Sequence, residues 1–292
     1  MKILLTGASG FIGSHLSLAL LDRGDQVWAY RRAGSDLRRL AQRENDVEWF
    51  DIAEINGPFS RNTRIDAIIH AATCYGRNGE PLSELQAVNV VFPLRLLELG
   101  TAAGVKLFLN TDTYFNHPGD QPLQYLTHYV LTKHHGVECL QAAAGGNTKV
   151  VNLKLEHIYG PGDGEEKFVT MLLSDLLRNT PSIPMTPGEQ KRDFIYITDA
   201  VAACLACLES DVASLPDFQT VSLGTGTSTS IRAFAELARR TTGSDSILDF
   251  GKLPYRGGEI MSSCGDPAYL RTLGWQPVYG DYRAGFENLL SH

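Results

Sequence analysis

Residues 1–21 read MKILLTGASGFIGSHLSLALL, and the order of residue types along them decides the fold. Lys2–Thr6 is a short apolar run of the kind that fills a buried parallel strand. Gly7, Gly10 and Gly13 follow at three-residue spacing, and Ile12, Leu16, Ala19 and Leu20 then recur at helical spacing. Gly7 permits a sharp turn out of the strand, where a Cβ would clash. Gly10 lets the backbone approach a pyrophosphate held by the free N–H groups and dipole of a helix N-terminus. Gly13 lets helix and strand pack closely. An ordinary glycine turn is the competing reading. Strand before and helix after favour dinucleotide binding instead.

Composition narrows the rest. The chain has 292 residues, 43% of them hydrophobic and 20% charged, as in a soluble globular protein. A formal net charge of −7 argues against a nucleic-acid surface, which needs clustered positive charge. No apolar run approaches the ~20 residues of a membrane span. Met1 leads directly into the first strand, so no secretory signal is expected. The five cysteines are odd in number and lack framework spacing; Cys204 and Cys207 lie in an apolar helical pattern, AVAACLACLE, and read as buried small residues. A reducing cytoplasm is the expected location.

Further strands are predicted at Val27–Tyr30, Val47–Phe50, Ile65–Ala72, Val105–Leu109 and Val150–Leu155. Helical patterns occupy Leu82–Ala103 and Thr127–Ala144, the second closed by Gly145-Gly146. Alternating strand and helix predict an α/β fold with a doubly wound parallel sheet of the Rossmann kind. After Leu155 the character changes: YGPGDG (159–164) and residues 179–189 are rich in Pro and Gly. Phe194–Ile197 and Val221–Leu223 read as strands, with helices at Asp199–Leu208 and Ser230–Thr242 and a loop at Lys252–Gly258. The expected division is a dinucleotide-binding domain at 1–155 plus about 194–224, and a smaller, discontinuous substrate domain at about 156–193 plus 225–292. The cleft between them is the expected substrate site.

Tyr129 and Lys133 stand four apart in HYVLTK, on one face of a predicted helix. A phenol is a poor acid or base near neutrality, and a neighbouring ammonium is expected to lower its pKa. Such a pair arises by chance in many helices, but here it begins the helix after the fifth strand of a nucleotide-binding sheet. His128, His134 and His135 surround it without acidic or cysteine partners at metal-ligand spacing, so no metal is expected.

GASGFIG, Thr111-Asp112, YVLTK, YGPGD and KRDFIYITD together resemble the extended short-chain dehydrogenase/reductases, the nucleotide-sugar epimerase, dehydratase and reductase group. The resemblance implies a Ser/Thr–Tyr–Lys catalytic set of Thr111, Tyr129 and Lys133. It also implies that Ser9, Phe11 and Ile12 join the three glycines at the cofactor, with Asp51 and Ile52 beside adenine and His70, Ala71 and Ala72 lining the dinucleotide. Related dehydratases carry Thr-Asp-Glu where this chain has Thr111-Asp112-Thr113; without the glutamate, dehydration is disfavoured, and Asp112 is expected to cap a turn or assist at the substrate. LNTDTYF and LKLEHIYGPGD resemble the CDP-linked 3,6-dideoxyhexose synthases, of abequose or paratose type.

NAD-selective sites usually place an acid near the end of the second strand; VWAYRR has none, and Arg31 and Arg32 suit a 2′-phosphate. NADPH is therefore expected over NAD(H). By resemblance Arg192, Arg256, Lys167, Phe168 and His157 contact the nucleotide sugar, and the two long helical segments build a homodimer. The expected reaction is NADPH-dependent reduction of the C4 keto group of a CDP- or dTDP-linked 4-keto-6-deoxyhexose. The alternative is a 4-epimerase with tightly bound NAD; a redox-sensing module and a reductase of non-nucleotide carbonyls are weaker alternatives.

Overall fold

A computed structural model describes residues 1–116 and 124–291. In chain order its first half contains β1 (Lys2–Thr6), α1 (Phe11–Asp22), β2 (Gln26–Arg31), β3 (Val47–Asp51), β4 (Ala67–His70), α2 (Leu82–Gln86), α3 (Phe92–Ala102), β5 (Leu107–Thr113), α4 (Thr127–Ala143) and β6 (Lys149–Leu155). A π-helical turn, Ala87–Val91, joins α2 to α3. The second half contains β7 (His157–Tyr159), α5 (Phe168–Leu177), β8 (Ser182–Met185), β9 (Lys191–Tyr196), α6 (Ile197–Leu208), β10 (Phe218–Leu223), β11 (Ser228–Ser230), α7 (Ile231–Thr242), β12 (Ile247–Phe250), α8 (Ala268–Thr272) and α9 (Tyr282–Leu290).

The chain divides into two compact units. The first is Met1–Asn116, Leu126–Lys154 and Ala203–Val221, and most of the second is Leu155–Ala202 and Ser222–His292. A seven-stranded sheet of order β10-β6-β5-β4-β1-β2-β3 organises the first unit. β1 pairs in parallel with both β2 and β4, so strand order reverses beside β1, the place where open α/β sheets bind ligands. Every residue of β4 and β5 is buried, the apolar run of each as expected for a central parallel strand and the polar end of β5 as well. Leu4, Trp28, Phe50, Ile68, Leu96, Phe108 and Val150 pack together as the core.

The second unit holds a three-stranded sheet, β11-β9-β7, and the parallel pair β8–β12. Its core is aromatic: Phe194 stacks on Phe234 with centroids 4.0 Å apart, and Tyr159 meets Phe194, Tyr196 and Phe234 edge-on. The sequence reading put residues from about 194 with the dinucleotide-binding domain, whereas β9 pairs with β7 and β11 and falls in the second unit through Ala202. Backbone pairing to neighbours in that unit decides it. Asp193, fully buried in β9, anchors the sheet by accepting from the Thr225 N–H at 3.0 Å, the Thr225 hydroxyl at 2.6 Å and the N–H groups of Gly226 and Gly265 at 2.9 and 3.2 Å.

Two local readings are corrected. Thr111 and Asp112 do not follow the fifth strand but lie within it, because β5 runs on to Thr113. A side-chain ladder supports the extension: Asn110 donates to Asn152 at 2.7 Å, and Asn152 donates to Asp112 at 3.2 Å. The irregular stretch 179–189 contains the short strand β8. The cysteine reading holds, with Cys204 2% and Cys207 1% exposed in α6.

Candidate active site

The glycine turn is built as its spacing requires. Gly7 has φ 72°, and a Cβ there would meet the Ala71 carbonyl carbon and the Ala72 nitrogen at 2.7 Å. A Cβ on Gly13 would lie 2.0 Å from the Gly7 carbonyl oxygen. Gly10 closes the turn by donating to that oxygen at 2.9 Å and occupies the N-cap of α1, where no side chain caps the helix. The first N–H groups of α1 are therefore left for a ligand, and Phe11 and Ile12 follow as the first helical residues.

Thr6 links this turn to the end of β4. Its hydroxyl lies 2.9 Å from His70 Nδ1 and accepts the Ala72 N–H at 3.2 Å. The His70 side chain is 1% exposed and packs against Phe92 and Phe108, so it belongs to the core, whereas Ala71 and Ala72 stay half-buried beside Gly7. Burial first, and then Lys133, pushes His70 down to about 3, so it is neutral near pH 7. Its folded pKa lies below the unfolded value of ~6.5, so stability is lost as pH falls below ~6.5, by about 2 kcal/mol from this residue at pH 5. Replacing His70 with Gln should flatten the decline in Tm between pH 7 and pH 5; an equally steep decline in the variant would assign it to other groups.

At the end of β2, Arg31 lies over the Trp49 ring at 5.5 Å and the Arg32 N–H bonds the Ser35 hydroxyl at 3.0 Å. A hollow of about 400 Å³ is lined by Arg31, Arg32, Trp49, Phe50 and Asp51, among others. Its neighbour, about 340 Å³, is lined by Ser9, Arg32, Ser35, Asp36 and Arg39 together with Ala33 and Gly34. Arg39 reaches the Ser9 carbonyl at 3.4 Å. Sequence reasoning named Ser9 and Arg32 but missed Ser35 and Arg39; the run RRAGSDLRRL was the available signal. Asp51 is exposed and accepts the Ala53 N–H at 2.9 Å, and Ile52 packs against the core.

Tyr129, Thr132, Lys133, Gly136 and Leu140 form the buried face of α4. The Lys133 ammonium donates to the Thr111 carbonyl, and the Thr111 hydroxyl donates to the His70 carbonyl at 3.0 Å. The Thr113 hydroxyl accepts the Phe115 N–H at 3.3 Å. The lowering of the phenol by the ammonium is not what the fold produces: burial, then the neighbouring Tyr75, raises Tyr129 well above 10, while burial lowers Lys133. Tyr129 therefore stays a protonated phenol near pH 7. Asp112 is 4% exposed; one of its oxygens accepts from Asn152 and from Asn116 at 3.1 Å, and Oδ1 has no partner among the described residues. Its work is to tie strand ends together rather than to cap a turn.

Two neighbours were not read from the sequence. Asn89, in the π-helical turn, exchanges hydrogen bonds with the Cys74 backbone, both at 2.8 Å, and donates to Thr132 at 2.9 Å. That clamp fixes the segment after β4 so that the Tyr75 ring lies 4.7 Å from the Tyr129 ring at 31°. Helical spacing alone carries no signal of such a clamp.

In the second unit, His157 packs edge-on against Phe194 and is pushed down to about 3 by burial, then by Arg192 and Lys167. These three residues are brought together. Lys167 precedes α5 and Phe168 begins it, with its ring 6.1 Å from Phe234. Arg192 is buried and already matched, donating to the Lys191 and Ile260 carbonyls at 2.7 and 2.6 Å and pairing with Glu259. Arg256 is exposed and lies over the Tyr125 ring at 3.9 Å.

The family of NAD dependent epimerases and dehydratases matches residues 3–221, which contain the glycine turn, Tyr129 and Lys133. The chain belongs to that family. It is accordingly an NAD(P)-dependent enzyme of the oxidoreductase type. Among its relatives is the CDP-abequose synthase of Salmonella typhimurium, 36% identical over 99% of this chain and 97% of the relative. The fold is similar to UDP-glucose 4-epimerase of Thermotoga maritima crystallised with UDP-glucose, with TM-score 0.84, 24% identity and coverage of 100% and 98% of the two chains. It is also similar to UDP-glucuronic acid 4-epimerase of Bacillus cereus in complex with UDP-glucuronic acid and NAD, at TM-score 0.83, 22% identity and the same coverage. The family's dinucleotide fits the residues present: the turn has no room for a Cβ at Gly7 or Gly13, and α1 has no side-chain cap competing for its N–H groups. Among the described residues, no three His, Cys, Asp or Glu side chains gather as a metal site, and no helix is long and apolar enough to cross a membrane.

Proposed function

We propose that the chain reduces the C4 keto group of a nucleotide-linked 4-keto-6-deoxyhexose with NADPH, in the manner of a CDP-3,6-dideoxyhexose synthase. The observation that carries the reading is the basic wall at the end of β2, where Arg32, Arg39, Ser9 and Ser35 line one hollow. A guanidinium beside the glycine turn suits the 2′-phosphate that distinguishes NADPH from NADH. The likeness to CDP-abequose synthase over nearly the whole chain supports the sugar class. When bound, the nicotinamide supplies the hydride. Tyr129 gives its proton to the developing C4 oxygen, and Lys133, held at the Thr111 carbonyl, keeps the end of β5 against α4. Lys167 and Arg256 are assigned to the substrate's phosphates, with Arg192 holding the Glu259 segment in place.

Calorimetric titration with NADPH and NADH at matched salt tests the cofactor, and loss of absorbance at 340 nm with CDP- and dTDP-4-keto-6-deoxyhexoses tests the reaction. NADPH should bind more tightly, and Arg39→Ala or Arg32→Ala should weaken NADPH roughly tenfold or more while leaving NADH nearly unchanged. Equal affinities in the wild type would refute the NADPH assignment. The family's epimerase members favour one second reading, a 4-epimerase; protein purified with retained NAD, interconverting C4 epimers without consuming cofactor, would establish it. A cytoplasmic homodimer belongs to the same proposal, with the exposed apolar side chains of Val91 and Leu131 on the helical segments as the contact, and light scattering measures it.

A further inference from the structure

The segment after β4 is pinned on both sides of Tyr75. Thr6 accepts the Ala72 N–H at 3.2 Å, the Thr73 hydroxyl donates to Asn89 Oδ1 at 3.2 Å, and the Cys74 backbone is bonded in both directions to Asn89 at 2.8 Å. On the other side Gly76 turns the chain at φ 70° against the buried Leu85. Because Asn89 also donates to Thr132, the segment and α4 are held as one piece. The Tyr75 ring lies 4.7 Å from the Tyr129 ring at 31°, with the Arg77 guanidinium 4.8 Å over it, a cation–π contact that helps to fix it. Tyr129 is 5% exposed and Tyr75 half-buried, so the surface this pair turns outward is mostly Tyr75.

A carbonyl that takes its proton from Tyr129 must bring its oxygen within about 3 Å of the phenol oxygen, which sets one of the carbons flanking it beside the neighbouring ring. We infer that Tyr75 is a specificity-determining residue: its ring is the wall on which the edge of the sugar next to C4 packs, and it selects sugars that lack a hydroxyl on that edge. The inference rests on the proposed reduction and narrows its substrate class to a nucleotide-linked 4-keto-3,6-dideoxyhexose, in which C3 is a methylene and C5 carries a methyl group. Either edge suits the ring. A methylene or methyl group gains by leaving water for an aromatic face, whereas a hydroxyl pressed there gives up its hydrogen bonds to water.

The test compares three sugars on one nucleotide, CDP and then dTDP, with the full chain and NADPH. They are the 4-keto-3,6-dideoxyhexose and two counterparts, one with a hydroxyl at C3 and one with a hydroxyl at C6. Wild type should favour the dideoxy sugar in kcat/KM by ~10-fold or more over the counterpart whose hydroxyl meets the ring. Tyr75→Ser should bring that ratio to within roughly twofold, chiefly by raising KM for the dideoxy sugar. Tyr75→Phe should keep the wild-type ratio, because the ring face and not the phenol oxygen does the selecting. Should Tyr75→Ser fail to fold, Tyr75→Gln, which fills more of the space, repeats the test with the same expectation. A variant slowed in proportion on all three sugars would make Tyr75 a packing support for Tyr129 and overturn the inference. So would a wild type indifferent among the sugars, or a Tyr75→Phe that loses the preference. Calorimetric titration of the same sugars with NADP, which cannot reduce them, separates the wall from the reaction. Wild type that binds the dideoxy sugar preferentially but reduces none of the three sinks the proposed reduction and keeps the wall; equal affinities overturn the wall whatever the turnover.

Discussion

Replacing Tyr129 with Phe lowers turnover at least ~10²-fold and leaves dinucleotide affinity nearly unchanged. The substitution removes one oxygen from a ring that is 5% exposed and keeps the ring itself, with its packing against Tyr75. What disappears is the proposed proton donor, held protonated by burial. Without it the alkoxide forming at the substrate carbon must draw its proton from water. The glycine turn proposed to hold the dinucleotide is contributed by β1 and α1 and does not depend on the phenol. Steady-state rates followed by nicotinamide absorbance give the turnover, and calorimetry gives the affinity. Near-normal turnover would remove Tyr129 from the mechanism; loss of affinity in step with turnover would make it a binding residue instead.

Gly13→Ala is expected to destabilise the fold by ~3 kcal/mol or more, a fall in Tm of roughly 6–12 °C, and to abolish dinucleotide binding. Its added carbon would sit 2.0 Å from the Gly7 carbonyl oxygen, 2.6 Å from its carbonyl carbon and 2.9 Å from the Ala8 Cα. All three are backbone atoms, so no flexible side chain can give way. Relief requires α1 to move off β1, and that movement opens the turn in which Gly10 bonds Gly7. Gly24→Ala is the control, at an exposed glycine just past the C-terminal end of the same helix: its positive φ makes it strained, but nothing stands within 4 Å. Thermal unfolding and calorimetry on both variants separate close contact from backbone strain. Retained dinucleotide binding by Gly13→Ala would show that the turn tolerates displacement.

Much of this was legible in one sequence because it rests on local rules. The first twenty-one residues announce strand, turn and helix, and the close contacts a Cβ would make bear out the reasons given for Gly7 and Gly13. The first-unit strands were readable because buried parallel strands are continuous apolar runs. β5 escaped at its end because NTDT is polar, and only contact with Asn152 and Asn116, distant in sequence or beyond the strand, lets those groups stay buried. β8, β11 and β12 escaped because SIPM, STS and ILDF are too short for a period to register. Tyr129 and Lys133 were found by helical spacing, but their ionisation was misjudged. A pairwise argument about charge omitted the burial that dominates both. Asn89 and Tyr75 had no local signature at all, since each matters through a loop folded back on α4.

The order of the seven strands has a consequence for synthesis. β10 is the outer neighbour of β6, yet it is encoded after residues 156–202, which build much of the second unit. A ribosome therefore releases β6, with Val150, Val151 and Leu153 in it, well before the strand that will shield its edge. At ordinary elongation rates the nascent sheet waits roughly 3–14 s with that row of backbone donors and acceptors open to any passing strand.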